Sequence, residues 1–205
     1  MRPAAFAEQE PSGSFPRRAL LGAGALGALA AIPLGGRLLR LGDALGSPSK
    51  AQDAKILQLV LELEHTQVAF YEQALAHAGL KGELRDFART AAGHERKHLS
   101  AIRSALGAKA GPAPAFDFGG KTKSPEAFRN AAIQLEDIAV AGYNGQATNL
   151  TKGTLAAAAE IVSVEARHAA WVRAIAGEVA APDPVDKPMT GQQVAAELRT
   201  FGAKA

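Results

Sequence analysis

Cysteine is absent from the 205 residues. Disulfides, thiolate metal sites and a lipid-carrying cysteine are therefore excluded. Aromatic residues make up only 5% of the chain, and runs of β-branched residues are missing, while alanine, leucine and glycine dominate. That balance favours an all-helical protein over a sheet. The net charge of +3 is small, and its lysines and arginines are scattered rather than clustered among aromatics. Nucleic acid is not an expected partner on that pattern. The chain also lacks a glycine-rich phosphate loop and any convincing serine nucleophile arrangement. At 21.2 kDa it is long enough for one domain with a proper core, plus tails.

What is present is a repeated pair. Glu95-Arg96-Lys97-His98 returns seventy positions later as Glu165-Ala166-Arg167-His168. Residues three apart share one face of a helix, so each motif points a carboxylate and an imidazole the same way. A second repeat, at an offset of seventy-two, sets Leu63-Glu64, Val68-Ala69 and Tyr71 against Leu135-Glu136, Val140-Ala141 and Tyr143. The chain thus carries Glu64, Glu95 with His98, Glu136, and Glu165 with His168.

Each of these residues falls on an apolar stripe with bundle-helix spacing. Helix A is expected from an Asp53 N-cap to Ala78, with Leu57, Leu61, Glu64, Val68, Tyr71 and Leu75 inward. Helix B follows the Gly79–Gly82 turn and runs to about Leu106. Ala108 to Lys123 reads as a loop; at ~3.3 Å per extended residue it can cross a bundle's length. Ser124-Pro125 opens helix C as N-cap and first helical residue, and the helix runs to about Leu150. Helix D follows Thr151-Lys152-Gly153 and reaches about Val179, with Val172, Ile175 and Val179 inward. The register has its own check. The midpoint of Glu64 and Glu95 falls between Gly79 and Leu80, and that of Glu136 and Glu165 between Leu150 and Thr151. Both lie in the expected turns, so all four carboxylates can share one layer of two antiparallel hairpins.

The predicted organisation is a leader and linker over residues 1–50, a four-helix bundle over 51–181, and an extension over 182–205. In the leader, Arg17-Arg18 precedes an uncharged Gly/Ala/Leu run, the layout of a twin-arginine export signal. An ordinary secretory signal or an uncleaved anchor is the competing reading. The expected location is the periplasm or cell envelope, with the membrane touched only through the leader. In the extension, Thr190 to Phe201 reads as a short amphipathic helix whose Val194, Leu198 and Phe201 pack back on the bundle.

Four carboxylates buried without a cation would be strongly unfavourable. A pair of divalent ions offsets their charge, and a donor set rich in oxygen with one imidazole per ion suits iron or manganese. Glu62, Glu72, His65, His77 and His94 are read as lying off the ligand face, and Trp171 as a core aromatic.

Between about Asp53 and Val179 the sequence resembles the ferritin-like superfamily, in particular exported ferritin-like proteins related to desiccation-associated and bacterioferritin-like ones. The resemblance implies an all-α four-helix bundle with its long crossover between helices B and C. It implies two iron or two manganese ions, with Glu64 and Glu136 as terminal ligands, Glu95 and Glu165 bridging, and His98 and His168 on one ion each. Tyr71 and Tyr143 would then be hydrogen-bond partners of the ligands; as core residues with satisfied hydroxyls they are equally well explained. The activity implied is redox chemistry on ferrous iron, dioxygen or peroxide, of a ferroxidase or peroxidase kind. The alternative is a non-enzymatic, stress-protective structural protein whose metals staple the bundle. Homo-oligomerisation is compatible with either, whereas iron storage would require a cage.

Overall fold

The computed structural model describes residues 47–204. Residues 1–46, with the Arg17-Arg18 pair and the run expected to form a leader, lie outside the described residues. Helix α1 spans Lys50–His77 and α2 spans Gly82–Leu106; α3 spans Pro125–Gln146 and α4 spans Lys152–Ala176. The first two and the last two form antiparallel hairpins, giving an all-α bundle with its crossover between α2 and α3. Among the described residues no helix is long and apolar enough to cross a membrane.

The first helix begins earlier than its sequence suggests. Ser49 is the N-cap and accepts from the Gln52 amide at 3.2 Å. Asp53, expected as the cap, is a buried residue with another role. Its carboxylate accepts from the Thr151 amide at 2.8 Å, the Thr151 hydroxyl at 2.6 Å and the Thr154 hydroxyl at 2.8 Å. The start of the first hairpin is thereby tied to the turn of the second.

Ser124 caps α3 through the Ala127 amide at 3.2 Å, with Pro125 at its first position. Its end tightens into a 3-10 turn over Ala147–Asn149 instead of continuing as α-helix to Leu150. Helix α4 also stops short of Val179. Gly177 adopts a left-handed φ of 74°, and the amides of Gly177 and Glu178 return to the carbonyls of Ala174 and Arg173 at 3.0 and 2.9 Å. Val179 is consequently 69% exposed rather than inward.

Helix α5, Gly191–Phe201, is opened by a capping box between Thr190 and Gln193. Its Val194, Leu198 and Phe201 are buried. Gly145 makes the docking possible: a Cβ there would lie 1.8 Å from the Met189 carbonyl oxygen. Beyond α5 a two-residue strand β2, Ala203–Lys204, pairs antiparallel with β1, Ala115–Phe116, inside the crossover. This miniature ribbon was not expected from a segment read as plain loop. Gly202 permits it, because φ there is 145° and a Cβ would meet the Asp117 carbonyl oxygen at 2.6 Å.

The scarce aromatics are concentrated in one place. Phe70 stacks on Phe128 at 5.3 Å and meets Phe118 and Phe201 edge-on at 5.5 and 5.1 Å. Tyr71 and Phe87 extend the cluster, and Phe87 in turn meets the edge of His168. This rigid apolar block borders the layer of buried carboxylates.

Candidate metal centre

Each of the four helices contributes one fully buried glutamate to a single layer: Glu64 from α1, Glu95 from α2, Glu136 from α3 and Glu165 from α4. His98 and His168 stand one turn beyond Glu95 and Glu165. The six sequence-predicted residues converge, and they do so in a specific pattern. His98 Nδ1 lies 2.9 Å from Glu95 Oε2, 2.9 Å from Glu165 Oε1 and 3.7 Å from Glu64 Oε2. His168 Nδ1 lies 3.0 Å from Glu95 Oε1, 3.5 Å from Glu136 Oε2 and 3.9 Å from Glu165 Oε2. Glu95 and Glu165 therefore turn one oxygen toward each histidine. Glu64 faces only His98, and Glu136 faces only His168.

Two groups of four donors result: Glu64, Glu95, His98, Glu165; and Glu95, Glu136, Glu165, His168. Within each, one donor atom per residue lies within 4.8 Å of all the others. Several of these atoms have no hydrogen-bond partner although they are buried. They include Glu64 Oε2, Glu95 Oε1, Glu136 Oε2, Glu165 Oε1 and His168 Nδ1. Short approaches such as His168 Nδ1 to Glu95 Oε1 bring the atoms close without hydrogen-bond geometry. One imidazole nitrogen carries at most one proton, so it cannot satisfy three carboxylates at once. Lone pairs that converge on a common point are what a cation requires, and the cluster can hold a metal ion.

The electrostatics carry the same strain. Burial pushes the Glu64 carboxyl well above its usual range, against the pull of His98. Glu165 is raised by burial too, with His98 again opposing. Burial disfavours the His98 cation, yet the carboxylates of Glu165, Glu64 and Glu95 outweigh it and hold its pKa up at about 12. His168 is likewise disfavoured by burial and raised by Glu136 and Glu95 to about 10.

Both tyrosines reach across the bundle. Tyr143 Oη donates to Glu64 Oε1 at 2.6 Å, and Tyr71 Oη donates to Glu136 Oε1. Each thus serves the glutamate of the other hairpin, not the one seven residues before it. Burial and the partner carboxylate raise both phenols, which keeps them protonated as donors.

Sequence reasoning missed Gln67. Its Nε2 donates to Glu165 Oε2 at 3.0 Å and reaches Glu136 Oε1 at 3.5 Å. The signal was its place three residues after Glu64 on the same face. His94, expected to point away, instead holds its Nδ1 2.9 Å from His168 Nε2. Its i, i+4 relation to His98 was the available clue. His65, expected at the surface, is buried, and burial followed by Arg103 lowers its pKa. With Glu62 it forms a further Glu-x-x-His pair that stays outside both donor groups, so the motif alone does not make a ligand. Glu72 is exposed and pairs with Arg96 at 2.8 Å, and His77 is exposed. Trp171 packs edge-on against Phe87 and donates to Glu83 at 2.9 Å.

A family model described as a ferritin-like domain matches residues 52–178, from the first turn of α1 to just beyond the end of α4. A comparison with curated proteins gave no match. With its helical bundle, its crossover and its buried ring of glutamates and histidines, the chain belongs to the ferritin-like domain family.

Proposed function

We propose that this is an exported ferritin-like protein whose buried ring binds two iron or two manganese ions and acts on ferrous iron with dioxygen or peroxide. The observation that carries the two-ion reading is the split of Glu95 and Glu165, each presenting one oxygen to His98 and the other to His168. Glu64 with His98 would complete one position, and Glu136 with His168 the other. A bound pair of such ions supplies one-electron redox chemistry toward dioxygen or peroxide.

The chain's own residues set the conditions for that chemistry. Tyr143 and Tyr71 hold one oxygen of Glu64 and of Glu136, leaving the other oxygen of each directed inward. Gln67 steadies Glu165 in the same way. The aromatic block around Phe70 and Phe87 excludes water from one side of the ring. His98, with 12% of its side chain exposed, is the most accessible of the six. Export is supported by Arg17-Arg18 and the apolar run after it.

The test is elemental analysis of the full chain purified without chelators, beside the Glu95→Ala/Glu165→Ala variant. Near two iron or manganese per chain, lost in the variant, is the expected result. No metal after anaerobic loading would overturn the proposal. Loss of ferrous ion or peroxide is then followed with the loaded protein. Two metals bound without turnover, but with a large rise in melting temperature, would favour the structural alternative, which the full burial of all four glutamates makes worth testing.

A further inference from the structure

The two halves of the ring are not equivalent: Gln67, on the Glu136 side, has Ala139 as its counterpart in the repeat, and a second difference bears on a histidine. His168 Nδ1 faces Glu95 and Glu136, while His168 Nε2 faces His94 Nδ1 at 2.9 Å. The two ring planes are 16° apart and their centroids 5.1 Å apart, and the 2.9 Å between the nitrogens spans most of that separation, so the rings meet edge to edge. A neutral imidazole carries one N–H. If that proton sits on His168 Nε2 and is donated to His94, the lone pair of Nδ1 is left pointing into the ring.

His98 has no such support. Among the described residues no hydrogen bond reaches its Nε2, and the three carboxylates that face it, Glu64, Glu95 and Glu165, all approach Nδ1. The repeat explains why. Seventy positions after His94 stands Val164, whose side chain can neither donate nor accept. The device exists on one side of the bundle only.

We propose that His94 is a positioning residue: by accepting from His168 Nε2 it fixes the His168 tautomer and ring orientation, and so makes the Glu136 side the tighter of two unequal metal positions. The inference rests on the reading of the ring as a two-ion centre. An outer hydrogen bond to a metal-bound histidine typically alters affinity by about 10–100-fold.

The test titrates the full chain, stripped of metal, with manganese by calorimetry. The wild type is expected to bind in two unequal steps. His94→Ala should weaken the tighter step by about tenfold or more and leave the weaker one nearly unchanged. His94→Asn, whose side-chain oxygen can accept the same proton, should restore the tight step. Nitrogen-15 spectra of the zinc-loaded chain supply an independent readout, expected to show His168 protonated on Nε2 in the wild type and in His94→Asn. A His94→Ala variant that binds both ions as the wild type does, or that weakens both steps equally, would overturn the proposal. So would a His168 protonation pattern indifferent to His94. Failure of the two-ion reading would show separately, as a wild type that binds no pair.

Discussion

The hydroxyl of Tyr143, on α3, lies 2.6 Å from Oε1 of Glu64, on α1. Tyr71, on α1, makes the matching contact with Glu136 on α3. The two bonds cross the bundle in opposite directions and link the hairpins through the glutamates that face only one histidine. Tyr143→Phe should leave a buried carboxylate oxygen without its donor and cost about 1–3 kcal/mol of stability in the metal-free chain. Thermal unfolding with and without metal checks this, and an unchanged metal-free melting temperature would refute it.

Glu64→Gln should separate stability from metal binding. The carboxyl of Glu64 is pushed well up by burial, so its ionised form is costly in the empty ring. Glutamine keeps the shape and an oxygen for Tyr143 while removing the charge. The metal-free variant is expected to melt at or above the wild-type temperature, yet to lose the His98-side metal. A variant that is both less stable and fully metal-loaded would contradict the account.

The pH dependence of the metal-free chain has a definite sign. Glu64, Glu165, His98 and His168 all have pKa values raised on folding. Through these four groups the folded chain holds more protons than the unfolded one, so above pH 6.5, where the lowered Asp53 and His65 no longer titrate, stability falls as pH rises. The histidine contribution is fully present below the unfolded value of 6.5 and is lost through about 10 for His168 and about 12 for His98. The glutamates act in the same direction from lower pH. Urea midpoints should decline steadily between pH 6.5 and 10. Metal affinity should rise over the same interval, because a metal must displace those histidine protons. A midpoint that climbs with pH in the absence of metal would be decisive against this.

Asp53→Ala is expected to destabilise without touching the ring. Burial works against the Asp53 carboxylate, but the hydroxyl and amide of Thr151 and the hydroxyl of Thr154 lower its pKa overall. Its contribution is thus present above its ordinary value and is lost on acidification. Loss of three bonds to a buried charge should cost about 3 kcal/mol. Denaturant unfolding measures that cost, and an unaltered metal stoichiometry distinguishes it from damage to the centre.

The helices and the six converging residues were legible because bundle packing imposes a period, and a glutamate on a leucine's place breaks that period visibly. Residues that support others leave no such trace. Gln67 resembles any polar residue next to a stripe, and only its contact with Glu165 reveals its part. The helical angle of His94 points outward, yet an imidazole is long enough to reach His168 from the edge of the stripe. Asp53 has the local pattern of a cap, but its partners Thr151 and Thr154 lie far along the chain. The β1–β2 ribbon depends on two dipeptides meeting across that same kind of distance.

The division of donors between the hairpins bears on how the chain can be taken apart. The α1–α2 hairpin carries Glu64, Glu95 and His98, three of the four donors of one group; the α3–α4 hairpin carries Glu136, Glu165 and His168, three of the four of the other. Each half is short of a single carboxylate, which the other half supplies. A polypeptide severed in the crossover near Pro112 would yield two fragments whose complementation is completed by exchanging Glu95 and Glu165, with the Asp53–Thr151 bonds as the catch.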